Sequence, residues 1–181
     1  MKIFFSNVLF VTTVAFTFCI SANAKEKRTD GPPGSEYADW SKIEGELQIG
    51  AHFGATVPTA TSRNARIAIG ADVDYRPYDL FGIRLNFFQG LQVPRSTLIG
   101  VTPLVQSRFS NLRPYALFGP GLGVMNYRTT ELRFVISTGV GADFMITDHF
   151  GFGMAAIYHF IFDSSDLATI TARFMYSFGG M

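Results

Sequence analysis

The stretch "HFIFDSSD", residues 159–166, places His159 close to Asp163, Ser164 and Ser165. A serine nucleophile needs a histidine base within hydrogen-bond reach and a carboxylate to orient that base. Those residue types are present, but Asp-Ser-Ser is also an ordinary turn sequence, and a histidine among polar groups needs no catalytic reason. His52 and His149 have no metal-ligand spacing to each other. The glycine series "GPGLG" at 119–123 is followed by no helix, so it is not a phosphate loop. No catalytic, cofactor-binding or metal residue is therefore expected, and the chain does not read as an enzyme.

The charged residues follow a different rule. In "NARIAIGADVDY" (Asn64 to Tyr75) Ile67, Ile69, Ala71 and Val73 alternate with Arg66, Asp72 and Asp74. Period-2 alternation is the mark of a strand with two unlike faces. The same pattern recurs in segments at about 43–57, 64–76, 80–90, 96–109, 114–127, 131–146, 150–162 and 166–178, separated by turn signals. No helical periodicity of any length occurs after Lys42. Eight strands joined by short links predict an all-β, antiparallel up-and-down barrel.

The sign of the barrel comes from its glycines. Gly50, Gly54, Gly70, Gly82, Gly100, Gly119, Gly121, Gly123, Gly139, Gly141, Gly151 and Gly153 all share the charged face. Small residues suit the inside of a tight barrel, whereas strand glycine on a solvated surface is a cost. The polar face is therefore inward and the Phe, Leu and Ile stripes face lipid, as in a transmembrane barrel and unlike a soluble one. Strands of this length cross a bilayer when tilted. Tyr75, Tyr115, Tyr127, Tyr158 and Trp40 lie near strand ends, where interfacial aromatics belong. Pro103 and Pro120 each remove a ladder donor, and a bulge is expected near each.

The inward positions carry Glu44, Glu46, Asp72, Asp74 and Asp143 against Arg66, Arg84, Arg108, Arg133 and Arg173. Isolated charges are too costly to bury, so these ten residues are expected to pair as a structural network in the lumen. Arginine suits that task, being planar and able to fork onto a carboxylate. An ion-conducting lumen is the alternative, although eight strands leave little room for a channel.

The ends of the chain add the setting. Lys2 and an uncharged apolar run ending at Ala22-Asn23-Ala24 predict a cleaved secretory signal peptide over residues 1–24. Residues 25–41, "KEKRTDGPPGSEYADWS", read as a flexible periplasmic leader, and 42–181 as the barrel domain. The one cysteine, Cys19, lies in the first segment behind Phe18, which does not favour lipidation. Without Lys2 the chain holds 14 Lys+Arg against 14 Asp+Glu, and no basic excess points to nucleic acid.

"LRPYALFGPGLGV" (Leu112 to Val124) resembles a strand opening of small bacterial outer-membrane barrels of the OmpA-like, OmpX-like and opacity types. "ITDHFGFG" (Ile146 to Gly153) is similar to their turn between the sixth and seventh strands, and "ARFMYSF" (Ala172 to Phe178) to their closing strand. The resemblance implies a monomer in the bacterial outer membrane, both termini periplasmic. It implies lipid and lipopolysaccharide as surroundings, and the outer-membrane assembly machinery as partner during biogenesis. A structural or surface-contact role is expected, with a narrow pore and a lipid A-modifying enzyme as alternatives. The His-x-Ser motif of the outer-membrane deacylases is absent, and Gly179-Gly180-Met181 departs from the family's aromatic ending.

Overall fold

A computed structural model of the chain describes residues 45–59, 64–78, 80–92, 95–126 and 129–180. The expected signal peptide, the leader and Glu44 lie outside the described residues. Eight strands follow in order: β1 (Glu46–Pro58), β2 (Arg66–Arg76), β3 (Phe81–Gly90), β4 (Arg95–Gln106), β5 (Leu112–Asn126), β6 (Thr130–Met145), β7 (Phe150–Ile161) and β8 (Leu167–Gly180). Each pairs antiparallel with the next, and β1 pairs with β8, so the sheet closes into a barrel with no free edge. Closure satisfies the backbone within the sheet, the condition for a β-structure to cross lipid.

Alternation places the two faces as expected. Phe53, Leu85, Leu132, Phe152, Met154 and Phe174 are exposed on the outside, while Gln48, Asp74, Arg84, Asp143 and Arg173 are buried within. The lower end of the barrel is defined here as the end where β1 begins and β8 finishes. β2–β3, β4–β5 and β6–β7 are joined at that end, and β1–β2, β3–β4, β5–β6 and β7–β8 at the upper end.

Three expectations need correction. β4 ends at Gln106, short of the expected 109, because Phe109 and Leu112 bridge across a tight turn in which Ser110 adopts a φ of 54°. Arg108 therefore sits exposed in the β4–β5 link and not in the lumen. Tyr115 faces the lumen and is buried, so it is no part of an interfacial belt, whereas Tyr75 is exposed outside.

The two prolines produce no bulge. The β4–β5 register is the same on both sides of them (Gly100↔Gly121 and Leu104↔Leu117), but the pairing lapses between. Both rings point outward. The register shift in the barrel lies instead on the closing seam, between Glu46 and Gln48 of β1.

Candidate functional site: a charged layer beneath an apolar one

The inward charges meet in the lower half of the lumen. Asp74, on β2, is the hub. Arg84 of β3 forks onto it, Nε to Oδ1 at 2.7 Å and Nη2 to Oδ2 at 2.8 Å. Arg173 of β8 donates to Asp143 at 2.7 Å, to Asp72 at 2.6 Å and to Asp74 at 3.0 Å. Arg76, two residues beyond Asp74 on the same strand face, donates to Asp74 at 2.9 Å and to Asp143 at 3.3 Å. The Arg84 guanidinium also lies 4.5 Å from the centroid of the Tyr115 ring.

A second cluster closes the lower mouth. Arg113 of β5 donates through Nη1 to both oxygens of Glu46, at 2.9 and 2.8 Å. Gln48 and Ser177 donate to the same carboxylate at 2.9 and 2.7 Å. Together the two clusters set Glu46, Asp72, Asp74 and Asp143 against Arg76, Arg84, Arg113 and Arg173, so four acids face four arginines. Burial is affordable here because each guanidinium has a carboxylate in hydrogen-bond contact.

Glycine makes the space. A Cβ at Gly50 would collide with the Asp72 carboxylate and come within 2.6 Å of Arg173 Nε. At Gly141 the Tyr115 ring fills the place of the missing side chain, and so covers the β6 backbone.

The upper half of the lumen is different. Phe88, Leu98, Met125, Val135, Ile157, Ile161 and Leu167 all point inward there and are buried. Between the layers runs a short polar and aromatic chain. His52 contacts Asp72 through Nε2 and Thr171 through Nδ1 at 3.2 Å. Phe88 packs edge-on between His52 and His159, with centroids 5.0 and 6.0 Å away. His159 Nδ1 is hydrogen-bonded to Ser137 Oγ at 2.9 Å.

The expected network residues thus divide. Glu46, Asp72, Asp74, Arg84, Asp143 and Arg173 come together. Arg133 does not join them: it is half-buried at the upper rim, 2.5 Å from Glu131 and 3.7 Å from Asp163. Arg66 opens β2 at the same end, half-buried and away from the Asp74 hub. Arg76 and Arg113 were not among the expected residues, yet each complies with the parity of its strand. Arg76 continues the series Asp72, Asp74 by one further step, but the neighbouring "RPYD" reads as a link. Arg113 precedes Tyr115 on the inward parity and was hidden in "SNLRP" in the same way.

The serine–histidine set is not assembled. His159 faces Ser137, while the Asp163 side chain is exposed and turns toward Arg133. His149, in the β6–β7 link, contacts the Ser177 carbonyl at 3.0 Å and stacks on Tyr176. Among the described residues no group of His, Cys, Asp and Glu is arranged to hold a metal ion.

No protein-family model matches the chain, and no curated protein sequence matches it. Solved structures do. The N-terminal β-barrel domain of Pseudomonas aeruginosa OprF is similar, with a TM-score of 0.60 at 14% identity, covering 74% of this chain and 97% of that domain. Neisserial surface protein A gives 0.55 at 12% identity over 74% of this chain and 96% of its own. Ail, the attachment invasion locus protein of Yersinia pestis, in complex with the heparin analogue sucrose octasulfate, gives 0.52 at 18% identity, covering 75% of this chain and all of that one. The shared feature is the fold, an eight-stranded transmembrane β-barrel.

Proposed function

We propose that the chain is a monomeric outer-membrane protein of the bacterial envelope, with a structural or surface-contact role and a lumen that does not conduct. The observation that carries this reading is the two-layer filling of the barrel. Its charges pair with one another below, and apolar side chains close the cylinder above. An eight-stranded barrel has an interior just wide enough for side chains to fill, whereas aqueous channels belong to larger barrels. The outward Phe, Leu and Ile belt suits a bilayer, and the fold it shares with OprF, neisserial surface protein A and Ail supports an outer-membrane location.

Residues 1–24 would direct export and be removed at Ala24. Lipid and lipopolysaccharide would then surround the barrel, and the assembly machinery would insert it. A surface-contact role takes support from the fold shared with Ail, the attachment invasion locus protein of Yersinia pestis. On denaturing gels, unboiled protein purified from outer membranes should migrate differently from boiled protein, and N-terminal sequencing should begin at Lys25. In a planar bilayer the folded protein should give no discrete conductance steps. Regular single-channel steps, altered in Arg84→Ala, would replace this reading by a narrow pore.

A further inference from the structure

The seams of this barrel are not alike. Among the described residues, every neighbouring pair of strands except β4–β5 is laddered without a break through mid-barrel. On β4–β5 the rungs at Val101, Thr102 and Pro103 are missing. The hydrogen-bond phase explains why. Gln106 donates its N–H to Leu80, toward β3, and Ser107 donates to Pro114, toward β5. The odd-numbered residues of β4 therefore bond to β5. In that register Pro103 stands opposite Phe118, and Pro120 opposite Val101. Proline has no N–H, so the carbonyls of Phe118 and Val101 lose their ladder donors on two successive bonded rungs.

The lapse falls near the middle of both strands, at the depth of the hydrocarbon. Unpaired backbone is most costly there. The wall is thin at the same place. Its inner face carries Gly100, Gly119, Gly121 and Gly123, with Thr102 among them. A Cβ on Gly123, on the intact rung with Leu98 beyond the lapse, would lie 3.0 Å from Met125 and 3.1 Å from both Leu98 and Val135, so the apolar layer rests on that end of the strip, while Gly100 lies beside the Asn86 side chain. Outside it are two exposed proline rings.

We infer that the β4–β5 seam is a lateral portal, parting at Val101–Pro103 and Phe118–Pro120 to connect the bilayer with the apolar upper layer of the lumen. The chemistry on both sides selects its passenger, a single-chain apolar molecule such as a fatty acyl chain. Thr102, at the centre of the lapse, neighbours Arg84 across β3–β4, and Arg84 stays held by its fork onto Asp74, so the route runs from the lapse toward Leu98, Met125 and Val135.

A disulfide across the lapse tests it. Residues 101 and 120 face each other on a bonded rung, a spacing that a disulfide can span. Cys19 is the only cysteine of the chain, so the full chain carrying Cys19→Ser, Val101→Cys and Pro120→Cys holds just that pair. Folded in phosphatidylcholine vesicles, it is illuminated with palmitic acid bearing a mid-chain diazirine, and the labelled side chains are mapped. In the unsubstituted protein, which keeps both prolines, the label should reach Leu98, Met125 and Val135. The oxidised variant should show that labelling lowered by about tenfold, as for entry through a local opening, with lipid-facing Leu122 labelled as before. Lumen labelling that is absent in both proteins, or unchanged by the lock, overturns the portal.

Hydrogen exchange on the unsubstituted protein decides the matter should the locked variant fail to fold. Amides of Leu117–Leu122 should exchange about tenfold faster than those of Ala51–Ala55 on the β1–β8 seam, and Pro103→Val with Pro120→Val should remove the difference. Equal exchange on the two seams overturns the proposal.

Discussion

The lower and upper halves of the lumen fill the same cylinder by opposite means. Below, four carboxylates and four arginines are held by directional contacts, and Asp74 alone accepts from Arg76, Arg84 and Arg173. Above, Leu98, Val135, Ile157 and Ile161 fill volume with no polar obligation. The lower half specifies its occupants by charge and geometry, because an unmatched ion there is far more costly than a void. The upper half specifies them by size. A substitution that keeps shape but removes charge should therefore separate the two, and so should one that keeps polarity but changes volume.

The largest effect is expected from Asp74→Asn. Shape is conserved, yet three guanidinium groups lose a shared anion in a buried site. Breaking a buried pair in this way costs about 3–5 kcal/mol. Urea titration of the protein in vesicles should show the midpoint falling accordingly. A fall no larger than that of a surface variant would mean that the lower layer is solvated and that charge does not govern it.

In the upper half the contrast is between two variants of one residue. Leu98→Ala should lose about 2–5 kcal/mol by opening a cavity. Leu98→Met conserves volume and should lose less than about 1.5 kcal/mol. Equal losses in the same titration would show that the upper layer is as exacting as the lower one.

Much of this division was legible in the sequence, and two parts were not. Parity alone gave the inward face of all eight strands and six of the residues that meet in the charged network, because a strand's period of two is rigid over its length. Parity does not report height. It could not separate Arg133, at the upper rim, from Arg84 and Arg173 in the lower half, since that depends on strand stagger. Inward apolar residues were hidden for a related reason. Phe88, Val135 and Ile161 have the inward parity of their strands, but each stands next to a Phe of the lipid-facing stripe and its residue type does not mark it as a lumen group. Strand ends were the other weak point, since a turn signal hid Arg76 and Arg113 and an overlong β4 drew in Arg108.

Two glycines sharpen the comparison at smaller scale. A methyl group at Gly50 would strike the Asp72 carboxylate and the Arg173 guanidinium, whose positions are fixed by their ion pairs. Gly50→Ala should therefore cost about 1–3 kcal/mol by overpacking. At Gly123 the obstacles are the ends of Met125, Leu98 and Val135, apolar groups that can shift by a few tenths of an ångström. Gly123→Ala should be tolerated, helped by the lower entropy of the unfolded chain. Thermal shifts of the two proteins, measured side by side, should differ in that order.

The smallest effect is expected at the upper rim, where a charged pair exists without the conditions that make the lower layer demanding. Arg133 lies 2.5 Å from Glu131, a contact shorter than the fork of Arg84 onto Asp74. Distance alone would rank it as the stronger pair. Partial exposure reverses the order, because water and salt screen a pair they can reach and long side chains lose freedom in forming it. Arg133→Ala should leave the urea midpoint unchanged, and added salt should act equally on the variant and the parent. Should Arg133→Ala instead destabilise the barrel as Asp74→Asn does, contact distance and not burial would be the ruling variable, and the contrast between the ion-paired interior and the rim would fail.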